Sequence, residues 1–154
     1  MKKSPDESKL EERLRPSIIS GGGFLGEDER DVSIIISEDL EKMEKNHIDK
    51  SELVELLKRA YRKTKERFGQ KVQLADKLVG QFFEAKGKIP SPFIGDGVFE
   101  KGEARIKDLK NDRELIITAL SINLIEKHDF FQGKGSRYRI DPVKAYNTLK
   151  EMND

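Results

Sequence analysis

Apolar residues recur along this chain with two different periods, and the changes of period divide it. From about 29 to 46, Val32, Ile35, Ile36, Leu40 and Met43 return at intervals of three and four, which predicts an amphipathic helix. Asp28 or a neighbouring acid is placed to cap it, and acids in the first turn suit the helix dipole. A second helix is predicted from about 51 to 68, with Leu53, Leu56, Leu57, Ala60, Tyr61, Thr64 and Phe68 on one stripe. Asp49 or Ser51 caps it, Gly69 stops it, and the short link around 46–50 predicts an antiparallel helical hairpin.

The helical period is then lost. Residues 70–86 carry apolar doublets every four positions, but Gly80 sits mid-segment, Phe82-Phe83 favours a strand, and Asp76-Lys77 punctuates. Two short strands are the preferred reading. Gly87-Lys-Ile-Pro-Ser-Pro-Phe93 is expected to be irregular because two prolines remove donors, and Gly95-Asp-Gly97 is expected to turn. Imperfect alternation over Glu103–Leu109, a hairpin signal at Lys110-Asn-Asp112 and a strand over Arg113–Thr118 complete a small antiparallel sheet across 70–118.

A helix of about 119–129 follows, with Ser121 near its start. The run Phe130–Ile140 is expected to form an aromatic anchor, a glycine loop and a short strand resembling a β-wing. Asp141-Pro142, a cap followed by proline at the first helical position, starts the last helix, which packs Val143, Tyr146 and Leu149. The predicted fold class is therefore α+β, with an N-terminal helical hairpin, a small antiparallel sheet and a C-terminal helix–wing–helix unit. Residues 1–15, polar and without aromatics, are expected to be a flexible tail or frayed helix on a single domain spanning 16–154. Within it, 16–28 form a glycine-rich loop whose Ile18, Ile19, Phe24 and Leu25 should dock onto the body.

Composition narrows the classes. A chain of 154 residues suits one domain and buries a real core unaided. The absence of cysteine excludes disulfides, thiolate metal sites and a cysteine nucleophile, and two histidines argue against a multi-histidine metal site. No metal or cofactor is expected. No apolar stretch follows the first lysines, so no signal peptide or membrane span is predicted, and a cytoplasmic location is expected. Charged residues make up 38%, and high Lys and Glu without Cys hints at a thermophile.

The net charge of +1 hides a division. Residues 27–46 hold eight acids against three bases, residues 58–67 hold six bases against Glu66, and residues 127–144 hold five bases against two acids. The acidic and basic helices either pair within the hairpin or across a dimer, or the basic helix offers a face to phosphate backbones with Tyr61 interleaved.

Three segments, Arg15-Pro-Ser-Ile-Ile-Ser-Gly-Gly-Gly-Phe-Leu-Gly26, Gly87-Lys-Ile-Pro-Ser-Pro-Phe93, and the run from Leu120 to Pro142, resemble a family of small uncharacterised bacterial cytosolic proteins. The resemblance implies a cytosolic bacterial protein and supplies no activity. That family's pattern has a cysteine where this chain has Ser91 and a glycine where it has Asp129. The first departure argues against a thiol function, and the second puts a conformationally free helix end in doubt.

Three kinds of chemistry remain open. Gly21, Gly22 and Gly23 of the GGGFLG loop could cradle phosphate on backbone amides, but no P-loop lysine follows, and Glu27, Asp28 and Glu29 repel it; Gly133 and Gly135 are binding candidates in the C-terminal loop. His128, near Glu126, Asp129 and Ser136, has the outline of acid–base or nucleophilic chemistry in a small hydrolase-like or phosphate-handling enzyme. Against that, Glu126 lies two residues away on a helix and points elsewhere. The wing cations Lys134, Arg137 and Arg139 would suit a nucleic-acid-associated regulator, although no basic recognition helix precedes them. The favoured expectation is a binding or interaction protein whose partner is another protein or a second copy of itself, using the surface around His128, Lys134, Ser136, Arg137 and Arg139.

Overall fold

The computed structural model describes residues 5–14 and 23–152. Gly21, Gly22 and the expected docking of Ile18 and Ile19 lie outside the described residues. Five helices and six strands are present among those described: α1 (Pro5–Leu14), α2 (Val32–Lys45), α3 (Lys50–Lys65), β1 (Val72–Ala75), β2 (Leu78–Phe83), β3 (Lys88–Pro90), β4 (Val98–Glu100), β5 (Glu103–Asp108), β6 (Arg113–Ile117), α4 (Ala119–His128) and α5 (Pro142–Leu149). The class is α+β.

The main sheet is antiparallel in the order β1-β2-β5-β6, and β3 and β4 form a separate two-stranded ribbon inserted between β2 and β5. Pairing of Leu78 with Asp108, Gly80 with Ile106 and Phe82 with Ala104 sends these side chains to the helix-covered face. Val79, Gln81 and Phe83 therefore point the other way, with Arg105 and Lys107, as the two-residue strand period requires. Gly80, an awkward residue for a strand, is explained by α3. A Cβ there would lie 2.6 Å from Thr64 Oγ1 and 3.1 Å from Ile106 Cδ1, so only glycine lets helix and sheet approach this closely. The expected irregular run at 87–93 contains strand β3, because Pro90 stands at its end, opposite Val98, where its missing donor does least harm.

Two apolar clusters hold the domain. The larger joins α3 residues such as Leu53 and Leu57 to Leu74, Phe82 and Ile106 of the sheet, and to Ile125, Phe131 and Leu149. The smaller joins Leu14, Leu25, Val32 and Ile35 to Leu120, Leu124 and Phe130. Phe130 and Phe131, adjacent in sequence, thus serve opposite sides of α4.

Three expectations are corrected. Residues 5–14 do not form a loose tail: α1 docks through fully buried Leu14, whose carbonyl accepts from the amides of Phe24 and Leu25 at 2.8 and 3.0 Å. The consecutive helices α2 and α3 do not pack along one another as a hairpin; α2 packs on α5, while α3 packs on α4, α5 and the sheet. The stripe of α3 is wide and apolar, and the sheet offers it more surface than α2 does. Finally, 130–140 forms no wing strand. Gln132 and Gly135 adopt φ of 72° and 86°, which break an extended run, and the segment turns instead onto the Gly23–Asp28 loop.

Candidate functional site

Residues 132–136 and 23–28 form a two-loop clasp. Gly133 N donates to Phe24 O at 2.8 Å, Glu27 N to Lys134 O at 3.0 Å, and Lys134 N to Asp28 Oδ2 at 3.1 Å. Ser136 Oγ lies 2.8 Å from Gln132 Oε1 and 3.1 Å from Gly23 O. The loops touch backbone to backbone: a Cβ on Gly133 would fall 2.4 Å from Leu25 O, and one on Gly26 would fall 2.3 Å from Ser136 N. Of the described glycines, Gly26, Gly133 and Gly135 bring these loops together. Asp28 is the polar centre of the clasp. Hydrogen bonds from the Arg30 side chain, and from the backbones of Lys134 and Arg30, outweigh burial and hold its carboxyl well below the usual range.

The cations expected to bind are largely committed. Arg139 makes a bidentate pair with buried Asp39, at 2.7 and 2.9 Å, and its Nη1 also donates to Gln132 O at 2.8 Å. Burial opposes that charge, but Asp39 and the more distant Asp141 outweigh it and raise the Arg139 pKa. Arg137 donates to Glu103 at 2.9 Å, and Tyr138, half-exposed rather than in the core, donates to the same carboxylate. A groove of about 410 Å³ between β6, this loop and α5 does contain Lys134, Lys144, Arg113 and Arg139. With Arg139 held by Asp39 and Arg113 3.7 Å from Asp108, only Lys134 and Lys144 remain, opposite Glu114 and Asp141 in the same groove. Glu114 and Asp141 offset those two charges, and Glu114 also borders the groove on the open face of the sheet.

His128 has a partner that sequence reasoning missed. Its Nε2 lies 2.8 Å from Asp96 Oδ2, and the same oxygen accepts from Ser91 Oγ at 2.9 Å and Asn123 Nδ2 at 2.8 Å. Burial pushes the Asp96 pKa up, and the bonds from Ser91, His128 and Asn123 more than reverse it, so the carboxyl sits below its ordinary value. Phe93 stacks on the imidazole at 3.7 Å between ring centroids. Serine, histidine and aspartate are all present, but the carboxylate stands in the middle. No hydrogen bond joins the hydroxyl to the imidazole, so His128 is not placed to take the serine proton. Glu126, the nearer acid in sequence, turns away to Lys58 at 2.7 Å. Asp129 caps α4 at φ 55° and pairs with Lys50, so this helix end is left-handed even without glycine. The partners of Ser136 and of His128 do not overlap, and the two candidate catalytic residues are not brought together.

Within the chain, the charged helices find several of their partners elsewhere in the fold. Lys58 pairs with Glu126 of α4 and Lys65 with Glu100 of β4 at 2.7 Å, whereas the acids of α2 take Arg30, Arg139 and Lys45. These pairs tie each charged helix to other parts of the fold. Tyr61, the expected interleaved aromatic, packs edge-on against Phe82 and donates to Glu100.

What remains unpaired is the open face of the main sheet. Val79, Gln81 and Phe83 of β2 lie beside Lys107, Arg105 and Glu103 of β5, with Ile116 and Glu114 of β6 beyond. The Arg105 guanidinium sits 4.0 Å over the Phe83 ring, and its Nε donates to Glu103 at 3.1 Å, so its plane is fixed from two sides. Lys71 and Lys107 border a shallow groove of about 470 Å³ on this face and make no ion pair among the described residues. Phe68 follows α3 at φ 51° and is 89% exposed; Gln81 Nε2 donates to Gly69 O at 2.9 Å and ties that turn to β2. Phe83, Arg105 and Lys107 carried a visible signal, an aromatic and two cations at alternate strand positions, but the strand pairing that unites them is not local in sequence.

Comparison with models of protein families, with curated proteins and with solved structures gave no match to this chain. Among the described residues no group of three or more His, Cys, Asp or Glu side chains is arranged to hold a metal ion, and no helix is long and apolar enough to cross a membrane.

Proposed function

We propose that the chain is a binding protein and that its ligand lies on the open face of the four-stranded sheet. The observation that carries this reading is the Phe83–Arg105 pair, an exposed ring and a pre-set guanidinium flanked by unpaired Lys71 and Lys107. Helix α3 packs on one face of the sheet; on the other, Val79, Gln81, Arg105 and Ile116 are partly exposed and Lys107 is exposed, and Arg137 and Tyr138 reach Glu103 at one end. The C-terminal loop favoured from sequence is a poorer candidate, because its arginines and glycines hold the fold together. Catalysis at His128 is disfavoured for the same kind of reason: Asp96 gathers Ser91, Asn123 and His128 to pin the β3–β4 ribbon onto α4.

Lysine footprinting tests this directly. The purified protein is acetylated alone and after incubation with extract of its own cells, and modification is read at each lysine. Protection of Lys71 and Lys107, with Lys134 and Lys144 still reactive, is the expected result. Protection confined to Lys134 and Lys144 would return the site to the C-terminal groove and overturn the proposal.

A further inference from the structure

We infer that the occupant of this face is single-stranded nucleic acid, its bases stacking on the Phe83–Arg105 platform and on Phe68, and its phosphates meeting Lys71 and Lys107. The inference rests on the open-face reading and adds the ligand class to it. Flat ring faces and fixed guanidinium planes are what unpaired bases stack on, and the interaction tolerates any sequence because every base has a π-face. Arg105 supplies such a plane: one side covers Phe83, its edge is held by Glu103, and its side chain is 38% exposed.

Phe68 is an independent observation. An aromatic residue at φ 51° is in a region that side chains avoid, at a cost of order 1 kcal/mol or more. At 89% exposure it recovers none of that through burial. Extending the β1–β2 register, in which Val72 faces Gly80, carries the Phe68–Gly69 turn to the Phe83 end of β2, and the Gln81–Gly69 hydrogen bond fixes it there. Two aromatic residues, separated by fifteen positions in sequence, thus come to the same end of β2.

The composition of the face decides between occupants. Lysine is depleted at the centres of protein–protein interfaces, which favour contiguous apolar and aromatic area. Here Lys71, Arg105 and Lys107, with Glu114 cross-strand from Lys107, interrupt Val79, Phe83 and Ile116, so charged and apolar side chains alternate. A duplex hides its base faces inside the stack and would leave both phenylalanines without a partner. A single strand uses the rings and the cations together.

Fluorescence anisotropy with labelled twelve-nucleotide oligo-dT and oligo-U, and with a twelve-base-pair duplex, tests the inference on the intact protein. Single strands should bind more tightly than the duplex. With Lys71 and Lys107 engaged, affinity should fall about 7-fold between 50 and 200 mM salt, from a slope of roughly −0.7 per phosphate neutralised. Phe83→Ala and Phe68→Ala should each weaken binding about fivefold or more. Lys107→Glu, an exposed change that leaves the core untouched, should do likewise, and Lys134→Ala should match the unaltered protein. No binding at 50 mM salt, equal affinity for duplex, or equal loss with Lys134→Ala would overturn it. If oligonucleotides fail while cell extract still protects Lys71 and Lys107, the open face stands and its occupant is a protein; if neither occurs, both readings fall.

Discussion

Replacing Gly133 by alanine separates a structural role for the clasp glycines from a ligand-cradling one. The added carbon would sit 2.4 Å from Leu25 O, 2.8 Å from Leu25 Cα and 2.9 Å from Asp28 Cβ, and two of those three atoms are backbone. Carbon prefers separations of roughly 3.5 Å or more, so the loops must part by about 1 Å. Parting them strains two backbone hydrogen bonds, Gly133 N to Phe24 O and Glu27 N to Lys134 O, each worth about 0.5–1.5 kcal/mol net. It also unseats Leu25, which is fully buried in the smaller apolar cluster. Adding an overpacking term of about 1–3 kcal/mol places the expected loss near 3 kcal/mol. For a chain of this length that lowers Tm by about 6–12 °C. Urea unfolding followed by circular dichroism is the assay, with an unchanged m-value as the sign that the folded state has been weakened. A loss below about 0.5 kcal/mol, within the range of a neutral surface change, would refute the close-approach argument.

Three further outcomes follow from the same geometry. Asp39→Ala leaves the largely buried Arg139 guanidinium without its carboxylate and should cost about 3–5 kcal/mol by urea unfolding, whereas exposed Arg137→Ala should cost under about 1 kcal/mol. Asp28, Asp96, Glu100, Glu103 and Asp108 all have pKa values below their ordinary ones, so the folded state binds fewer protons than the unfolded. Their contribution is full above about pH 4.5 and is lost as pH falls through the folded values; Tyr61 and Tyr138 are shifted upward, so their contribution is full below about pH 10 and is lost above it. Stability measured from pH 2 to 11 should therefore form a plateau with an acid and an alkaline edge, and a profile rising below pH 4 would contradict the hydrogen-bond assignments. Leu14→Ala should cost about 2–5 kcal/mol if α1 is an integral part of the domain, and nearly nothing if it is a tail.

Local chemistry was readable wherever its partners were local. Asp141-Pro142 marks the start of α5, with Asp141 accepting from Val143 and Lys144 at 3.0 and 3.1 Å. Asp76-Lys77 marks the turn between β1 and β2, which the helix-like apolar doublets alone would have concealed. The mistaken features all depended on distant partners. The alternation of Tyr138 and Ile140 suits a strand, but a wing needs a second strand, and what the loop meets instead lies more than a hundred residues earlier. Asp96 read as a turn residue because Gly95 and Gly97 flank it, and its role depends on Asn123 and His128 of a helix. Glu126 and Asp129 were closer in sequence to His128, but the helical rotation and the left-handed cap send them to Lys58 and Lys50. The open face is the same lesson in another form: its residues were each visible, and the register that places Gln81 beside Arg105 was not.

The clasp also sets an order of events during synthesis. The smaller apolar cluster draws Leu14, Leu25, Val32 and Ile35 from the beginning of the chain and Leu120, Leu124 and Phe130 from near its end. Lys134 meets Asp28 across 106 positions. At roughly 5–20 residues per second, α1 and the glycine loop emerge about 5–20 s before the surface that receives them. Through that interval Leu14 has only Leu25, Val32 and Ile35 of its cluster to pack against, and Leu120, Leu124 and Phe130 are still to come. Residues 14–35 are made well before the surface that completes their seat, so this half of the smaller cluster stays open to whatever shelters apolar surface at the ribosome.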